Sequence, residues 1–402
     1  MIEETLIKKC EEELKENFSY IDDVALFNQE KVLSSFKKNR VALRHFNGSF
    51  GYGYDDEGRD LLNLVIADVF KAESAVCSPL IVSGTHALSL CLYGILRPNN
   101  KVLSICGEPY DTMQEIIYGE NNGSLKDFGI SFKVVPLKDG KLDFESIEKQ
   151  LSRDSYDMVY MQRSRGYDWR EALTISDIES AVKTVRKAGF NGCIMLDNCY
   201  GEFVEKKEPT EVGVDILAGS LIKNLGGGIA PTGGYFVGGK KYVDMVSARL
   251  TAPSIAGEVG SYAFGYRDFY EGLFIAPHVV KEALKGSLLL GKVMESLGYE
   301  TSPALYKPQG DLIRAIKFND KEKLISFIQC VQKFSPVDSF VTAMPWAMPG
   351  YNDEVIMAAG CFTQGSSIEL SADAPIREPY IAYVQGGLTY EHVKIVIKNL
   401  TI

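Results

Sequence analysis

The chain has 402 residues, 46% of them apolar and 24% charged, an ordinary globular composition with room for a large domain and a smaller one. A formal net charge of −10 excludes nonspecific nucleic-acid binding, which needs a basic surface, and no apolar run is long enough to span a membrane. Eight scattered cysteines form no CxxC pair and the four histidines lie far apart, so reduced, buried thiols, a cytoplasmic setting and no metal site are expected.

In chain order, MIEETLIKKCEEELKENF reads as a charged amphipathic helix rather than a signal peptide, which makes residues 1–50 an N-terminal helical segment. Glu57 to Phe70 carries a helical stripe of Leu61, Leu62, Val65, Ile66, Val69 and Phe70. Apolar residues from Ala75 to Val82 lead into Ser83-Gly84-Thr85-His86, and a helix is predicted from Ala87 to Leu96. Strands are predicted at Lys101 to Cys106, Ile130 to Pro136, Met158 to Gln162, Cys193 to Leu196 and Gly234 to Gly239. Between them Ser176 to Ala188 reads as a helix, with Ser176 as N-cap and Gly189 as stop. Such alternation predicts an α/β fold with a mostly parallel sheet covered on both faces, here a large domain over 51–275. From Ala276 a long helix runs to Leu297 and opens a small C-terminal α/β domain over 276–402.

Three places in this pattern carry chemistry. Ser83-Gly84-Thr85 follows a strand and opens a helix, where backbone N–H groups and hydroxyls favour an anion; a plain helix cap fits as well. Asp197 ends an apolar strand, the end at which open α/β sheets bind ligands, or else forms a turn there. Lys223 enters the glycine-rich run Gly226-Gly227-Gly228, with Ser220 three residues earlier. A lysine that condenses with an aldehyde beside a hydroxyl that takes a phosphate is the chemistry of pyridoxal phosphate; a surface lysine in a glycine turn is the alternative. Asp197 precedes Lys223 by 26 residues, room for one more strand, so neighbouring strand ends can present both to one ring.

Taken together, Ser-Gly-Thr before a helix, Asp at a strand end and Ser-x-x-Lys resemble the fold-type I pyridoxal-phosphate enzymes, whose large domain is aspartate-aminotransferase-like. Within them the chain resembles the Cys/Met-metabolism branch, and especially its offshoot of aluminium-resistance or methionine γ-lyase-like proteins. That likeness is carried by Phe50 to Asp60, Met161 to Tyr167, Asp197 to Glu205, Ser220 to Gly234 and Gln364 to Asp373. It implies a carbon–sulfur lyase for cystathionine, methionine or a cysteine-like amino acid, working by Schiff base formation, α-proton removal and β- or γ-elimination. An aminotransferase or aldolase with the same cofactor is the alternative, as is a cofactor-carrying stress or regulatory protein with little turnover.

The resemblance assigns residues as well. Lys223 would hold the cofactor aldehyde and move the α-proton. Ser83, Gly84, Thr85 and Ser220 would hold the phosphate, and Asp197 would pair with the pyridine nitrogen. Tyr110 would stack on the ring and protonate a leaving thiolate. Tyr52 and Tyr54 fall where the branch shows a tyrosine and an arginine that reach a neighbouring subunit's phosphate, which implies a homodimer or homotetramer with active sites at the interface. With no arginine there, Arg59 or another residue would take its place. Tyr383 occupies the place of the arginine that binds the substrate carboxylate, which leaves Arg377, Arg163 and Arg165 as candidates.

Overall fold

The computed structural model describes residues 2–348, 351 and 353–401. Three helices come first: α1 (Glu4–Glu13), α2 (Lys15–Lys38) and α3 (Glu57–Val69). Strands and helices then alternate as β1 (Ser74–Ser78), α4 (Gly84–Ile95), β2 (Lys101–Ser104), α5 (Asp111–Tyr118), β3 (Ser131–Val134), α6 (Phe144–Arg153), β4 (Met158–Gln162), α7 (Ile175–Lys187) and β5 (Cys193–Asp197). Next come β6 (Ile216–Ser220), β7 (Gly234–Gly238), α8 (Lys240–Leu250) and the long α9 (Arg267–Ser296). The remaining part holds β8 (Glu300–Ser302), β9 (Arg314–Lys317), α10 (Lys321–Lys333), β10 (Val355–Ala358), β11 (Ser371–Pro375), β12 (Ile381–Gln385) and α11 (Tyr390–Lys398).

The first seven strands form one sheet in the order β1-β7-β6-β5-β4-β2-β3, parallel except for β7, which runs against both its neighbours. Its strands other than the edge strand β3 are buried on both faces. Along β4 and β5, Met158, Tyr160, Cys193 and Met195 pack to the side covered by α4 and α8, while Val159, Met161, Ile194 and Leu196 pack to the other. The last five strands form a separate antiparallel sheet, β10-β11-β12-β9-β8. This is the fold-type I architecture: a large domain with a mostly parallel sheet and a smaller α/β domain.

Three boundaries differ from the sequence reading. The helix expected from Ser176 is capped by Thr174, whose side chain and that of Asp177 form a reciprocal capping box. The helix expected from Ala87 begins at Gly84, because the Ser83 hydroxyl already accepts from the His86 N–H. The long helix begins at Arg267, nine residues before Ala276, and continues through Pro277. Its buried residues from Phe269 to Leu288 belong to the large core, and those from Leu289 to Met294 to the core of the small sheet. That small core also takes Ile7 and Cys10 of α1, so the first helix packs with the last strands.

Candidate active site

The carboxyl ends of β4, β5 and β6 meet the amino end of α4 around a cavity of about 320 Å3, continued by a 60 Å3 pocket toward the small sheet. Lys223, Asp197, Tyr110, Tyr200 and Asp373 line both, and Ser83, Gly84, Thr85 and Ser220 line the larger one. Thus the structure brings together the residues picked at three separate places in the sequence.

Lys223 leaves β6 on a loop whose return needs left-handed backbone at Gly227 and Gly228, with φ of +58° and +74°. Its Nζ lies 4.0 Å from the centre of the Tyr200 ring. Burial works against the charged amine, but Cys199, Tyr200, Asp197 and Glu202 around it hold its pKa above the ordinary lysine value. Asp197 is 7% exposed and accepts from the Cys199 N–H at 3.0 Å. Burial raises its pKa, and the Lys223 amine pulls it back.

At the head of α4, the Ser83 hydroxyl accepts from the His86 N–H at 3.0 Å and keeps its own O–H to give. The N–H groups of Gly84 and Thr85 sit at the first two helical positions, where intrahelical acceptors are lacking and the dipole favours an anion. Space at Gly84 is tight: a Cβ there would stand 3.3 Å from both Cys199 Sγ and Ser220 Cβ. Ser366 and Ser367, both 4% exposed, line the same cavity with hydroxyls that have no partner among the described residues. These features fit pyridoxal phosphate: a helix start and hydroxyls for the phosphate, a buried carboxylate for the ring nitrogen, and an amine for the aldehyde.

Tyr110 is the N-cap residue just before α5, and its backbone N–H donates to Gln162 Oε1 at 2.8 Å. Its ring packs edge-on to Tyr167 at 5.7 Å, and burial raises its pKa well above the usual phenol value, so it is a neutral donor. Gly166 supports it, since a Cβ there would come 2.9 Å from the Tyr110 ring.

Other candidates lie elsewhere. Tyr52 and Tyr54 are exposed side by side, with ring centres 5.7 Å apart, outside the Lys223 cavity. Arg59 is buried and spent on the Gly53 carbonyl at 2.8 Å and on Asp60. Arg163 is wholly buried between Asn198, the Gly201 and Leu173 carbonyls and Glu205. Arg165 is buried against Ser302, and Arg377 is half-exposed and paired with Asp353 at 3.0 Å. Among the described residues, no arginine lines the cavity that holds Lys223.

Sequence reasoning passed over several lining residues. Tyr167, Tyr200 and Asp373 fall inside stretches quoted for the family likeness, but no spacing rule singles them out; Tyr351 has no local signal at all. Asp373 accepts from Tyr167 Oη at 2.9 Å and from Gln385 Nε2 at 3.0 Å. Behind the loop that follows β5, Glu202 is completely buried, accepts from Tyr235 Oη at 2.5 Å, and has its pKa pushed up to about 7 by burial.

Comparison with known proteins gives a consistent result. The sequence model of the family described as methionine gamma-lyase matches residues 3–401. The uncharacterized protein YnbB of Bacillus subtilis is 47% identical over 397 residues, covering 97% of this chain and 94% of that protein. The solved carbon-sulfur lyase involved in aluminum resistance from Clostridium novyi NT is 52% identical with a TM-score of 0.94, covering 98% of this chain and 93% of that one. The pyridoxal-5'-phosphate dependent protein YhfS from Escherichia coli shares the fold, with a TM-score of 0.65 at 15% identity over 94% of this chain and 96% of that one.

Proposed function

Because the chain belongs to the methionine gamma-lyase family, we propose that it is a pyridoxal-phosphate-dependent carbon–sulfur lyase that converts a sulfur-containing amino acid to a thiol, a 2-oxo acid and ammonia. The observation that carries this reading is the meeting of Lys223, Asp197 and Tyr110 in one cavity beside the start of α4. The bound cofactor supplies an electron sink, which lets a proton leave the substrate α-carbon.

The residues divide the remaining work. The Gly84 and Thr85 N–H groups, with the Thr85 and Ser220 hydroxyls, hold the phosphate. Asp197 holds a proton on the ring nitrogen, a task suited to a buried carboxylate facing a cation. Lys223 would hold the aldehyde through Nζ and, once freed, would take the proton from the substrate α-carbon. Tyr110 would pack against the ring and would give its phenol proton to the departing sulfur. Tyr167 and Tyr351 crowd the Tyr110 ring and exclude water around the reacting atoms. Tyr52 and Tyr54, exposed here, reach the phosphate of a second copy in a homo-oligomer.

Purified protein incubated with cystathionine, methionine and cysteine in turn is expected to release 2-oxo acid from at least one. No 2-oxo acid from any of the three would end the lyase reading. Absorbance at the visible edge is expected to disappear on borohydride treatment and to be missing in Lys223→Ala; its persistence in that variant would remove Lys223 from the role.

A further inference from the structure

One arginine beside the Lys223 cavity is left with an unmet need. Arg163, at the same strand end, has every side-chain nitrogen bonded, and Arg377 is paired with Asp353. Arg165 is 1% exposed, yet among the described residues only its Nη1 has a partner, Ser302 Oγ at 3.0 Å. Nε and Nη2 are buried with none. Those two nitrogens are neighbours on the guanidinium, and their N–H bonds run parallel along one edge. That edge takes both oxygens of a single carboxylate.

The chain supplies no anion for it. Burial disfavours the Arg165 charge, and Asp311 pulls the other way. The Asp311 oxygens are already engaged, one by Ser164 Oγ at 2.8 Å and the other by the Ile313 N–H at 3.0 Å. Arg314 adds a second buried cation, its pKa pushed down to about 9 by burial and by the Arg165 charge. A guanidinium buried without a counter-charge is costly, so the unused edge is a place for a ligand's anion.

The surroundings put that edge at the cavity. Ser164 and Gly166, on either side of Arg165 in the chain, line the pocket together with Lys223 and Tyr383. On the small sheet, Tyr383 of β12 stands opposite Ala315 of β9, and Ala315 opposite Ser302 of β8. Directly opposed residues share a face, so Tyr383 and Ser302 flank Ala315 on one side, roughly 10 Å apart. Arg165 bonds Ser302 at one end of this row. At the other end burial raises the pKa of the Tyr383 phenol and the Arg165 charge pulls it back. The small Ala315 leaves room between them, and Tyr383 forms the wall that separates the guanidinium from the pocket.

We propose that Arg165 is a specificity-determining residue that receives the α-carboxylate of the substrate on its Nε–Nη2 edge, with the Tyr383 ring turning aside to admit it. This deepens the lyase reading and rests on it for the identity of the cavity. The task falls to the end of β4 because β12 carries Tyr383 where the family likeness expects an arginine. Asp373 lies across Tyr383 on the side away from Ala315, where Tyr167 and Gln385 engage it, so the two like charges are kept apart.

The test uses two probes of nearly equal shape without an amine to condense with an aldehyde: 4-(methylthio)butanoate and its neutral amide, 4-(methylthio)butanamide. Calorimetric titration of the cofactor-loaded wild type is expected to show the carboxylate binding tighter by about tenfold or more, the scale of charged hydrogen bonds. Equal or weaker binding of the carboxylate would overturn the proposal on the wild type alone. In Arg165→Gln the preference is expected to shrink below about threefold, and Arg165→Lys, which keeps the charge without the fork, should recover part of it. An unchanged preference in Arg165→Gln would reduce the residue to a tie between β4 and β8. Arg377→Gln, a surface change, is expected to keep the full preference. Its loss there would hand the carboxylate to Arg377 and overturn the proposal even if Arg165→Gln does not fold. Neither probe reports on elimination. A preference that depends on Arg165, with no 2-oxo acid from any substrate, would count against the lyase reading and leave this proposal standing; 2-oxo acid release without the preference would do the reverse.

Discussion

Tyr110 and Tyr351 meet hydroxyl to hydroxyl at 2.7 Å although they are 241 residues apart in the chain. Tyr110 lies just before α5 and Tyr351 reaches it from the segment before β10, with partial solvent contact. A proton given up by Tyr110 can therefore be replaced through Tyr351. Tyr110→Phe is expected to lower kcat on thiol-releasing substrates by about 10²-fold or more, the usual size of general-acid help. Tyr351→Phe is expected to cost about tenfold, since Tyr110 then recovers its proton more slowly. Both losses should shrink on β-chloroalanine, whose chloride leaves without a proton; steady-state kinetics on the two substrate types checks this.

Gly84 gives a separable prediction for the phosphate site. Alanine is a better helix former, so the apoprotein of Gly84→Ala should be as stable as the parent or slightly more so. The added methyl would stand 3.3 Å from Cys199 Sγ and from Ser220 Cβ, and it narrows the start of α4, where the proposed reading seats the phosphate. The dissociation constant for the cofactor is expected to rise about tenfold, or roughly 1.4 kcal/mol, by fluorescence titration of apoprotein. Equal cofactor affinity in the variant would place the phosphate elsewhere.

Arg163 ties the end of β4 to the loop after β5, with every contact buried or nearly so. Removing it leaves the Glu205 carboxylate without its ion pair. Arg163→Ala is expected to lose about 3–5 kcal/mol of stability, read from urea unfolding, the scale for breaking a buried pair on one side. A loss below 1 kcal/mol would mean that the network relaxes freely.

Glu202 makes stability depend on pH. Burial raises its pKa from 4.5 in the unfolded chain to about 7 in the fold, so the folded state favours the protonated acid. The sign follows from linkage: full stability below the unfolded value, lost as pH rises through about 7. Glu202→Gln keeps a neutral side chain at every pH. Its stability relative to the parent should therefore rise between pH 5 and pH 9 by up to roughly 3 kcal/mol, from denaturant midpoints at each pH. A flat difference would show that Glu202 carries the same charge in both states.

Much of this site is legible in the sequence because the chemistry sits at strand ends. Asp197, Ser220 and Lys223 follow apolar runs, and Ser83 to Thr85 open a periodic helix, so local pattern places them at element ends, while their roles rest on the family likeness. The direction of β7 is not legible, since an apolar strand of five buried residues looks the same whichever way it runs. The start of α9 at Arg267 is not legible either, since proline is most at home in the first turn of a helix, whereas Pro277 lies inside this one. Asp373, Tyr351 and Glu202 escape for another reason. Asp373 and Tyr351 come from the second part of the chain and acquire meaning only when the small sheet closes over the large one. Glu202 looks like any surface glutamate until the loop after β5 folds inward.

The packing of α1 against the small sheet sets an order of events during synthesis. Glu11 bonds Tyr390 Oη and Lys394 Nζ, the former 379 residues further along the chain. At typical elongation speeds of about 5–20 residues per second, α1 waits roughly 20–80 s for those partners. Over that interval the apolar side bearing Ile7 and Cys10 has no permanent cover, while the large sheet can already close. Helix α1 is thus made long before the strands it packs with, and the nascent chain carries a sticky segment in the meantime that a chaperone is suited to shield.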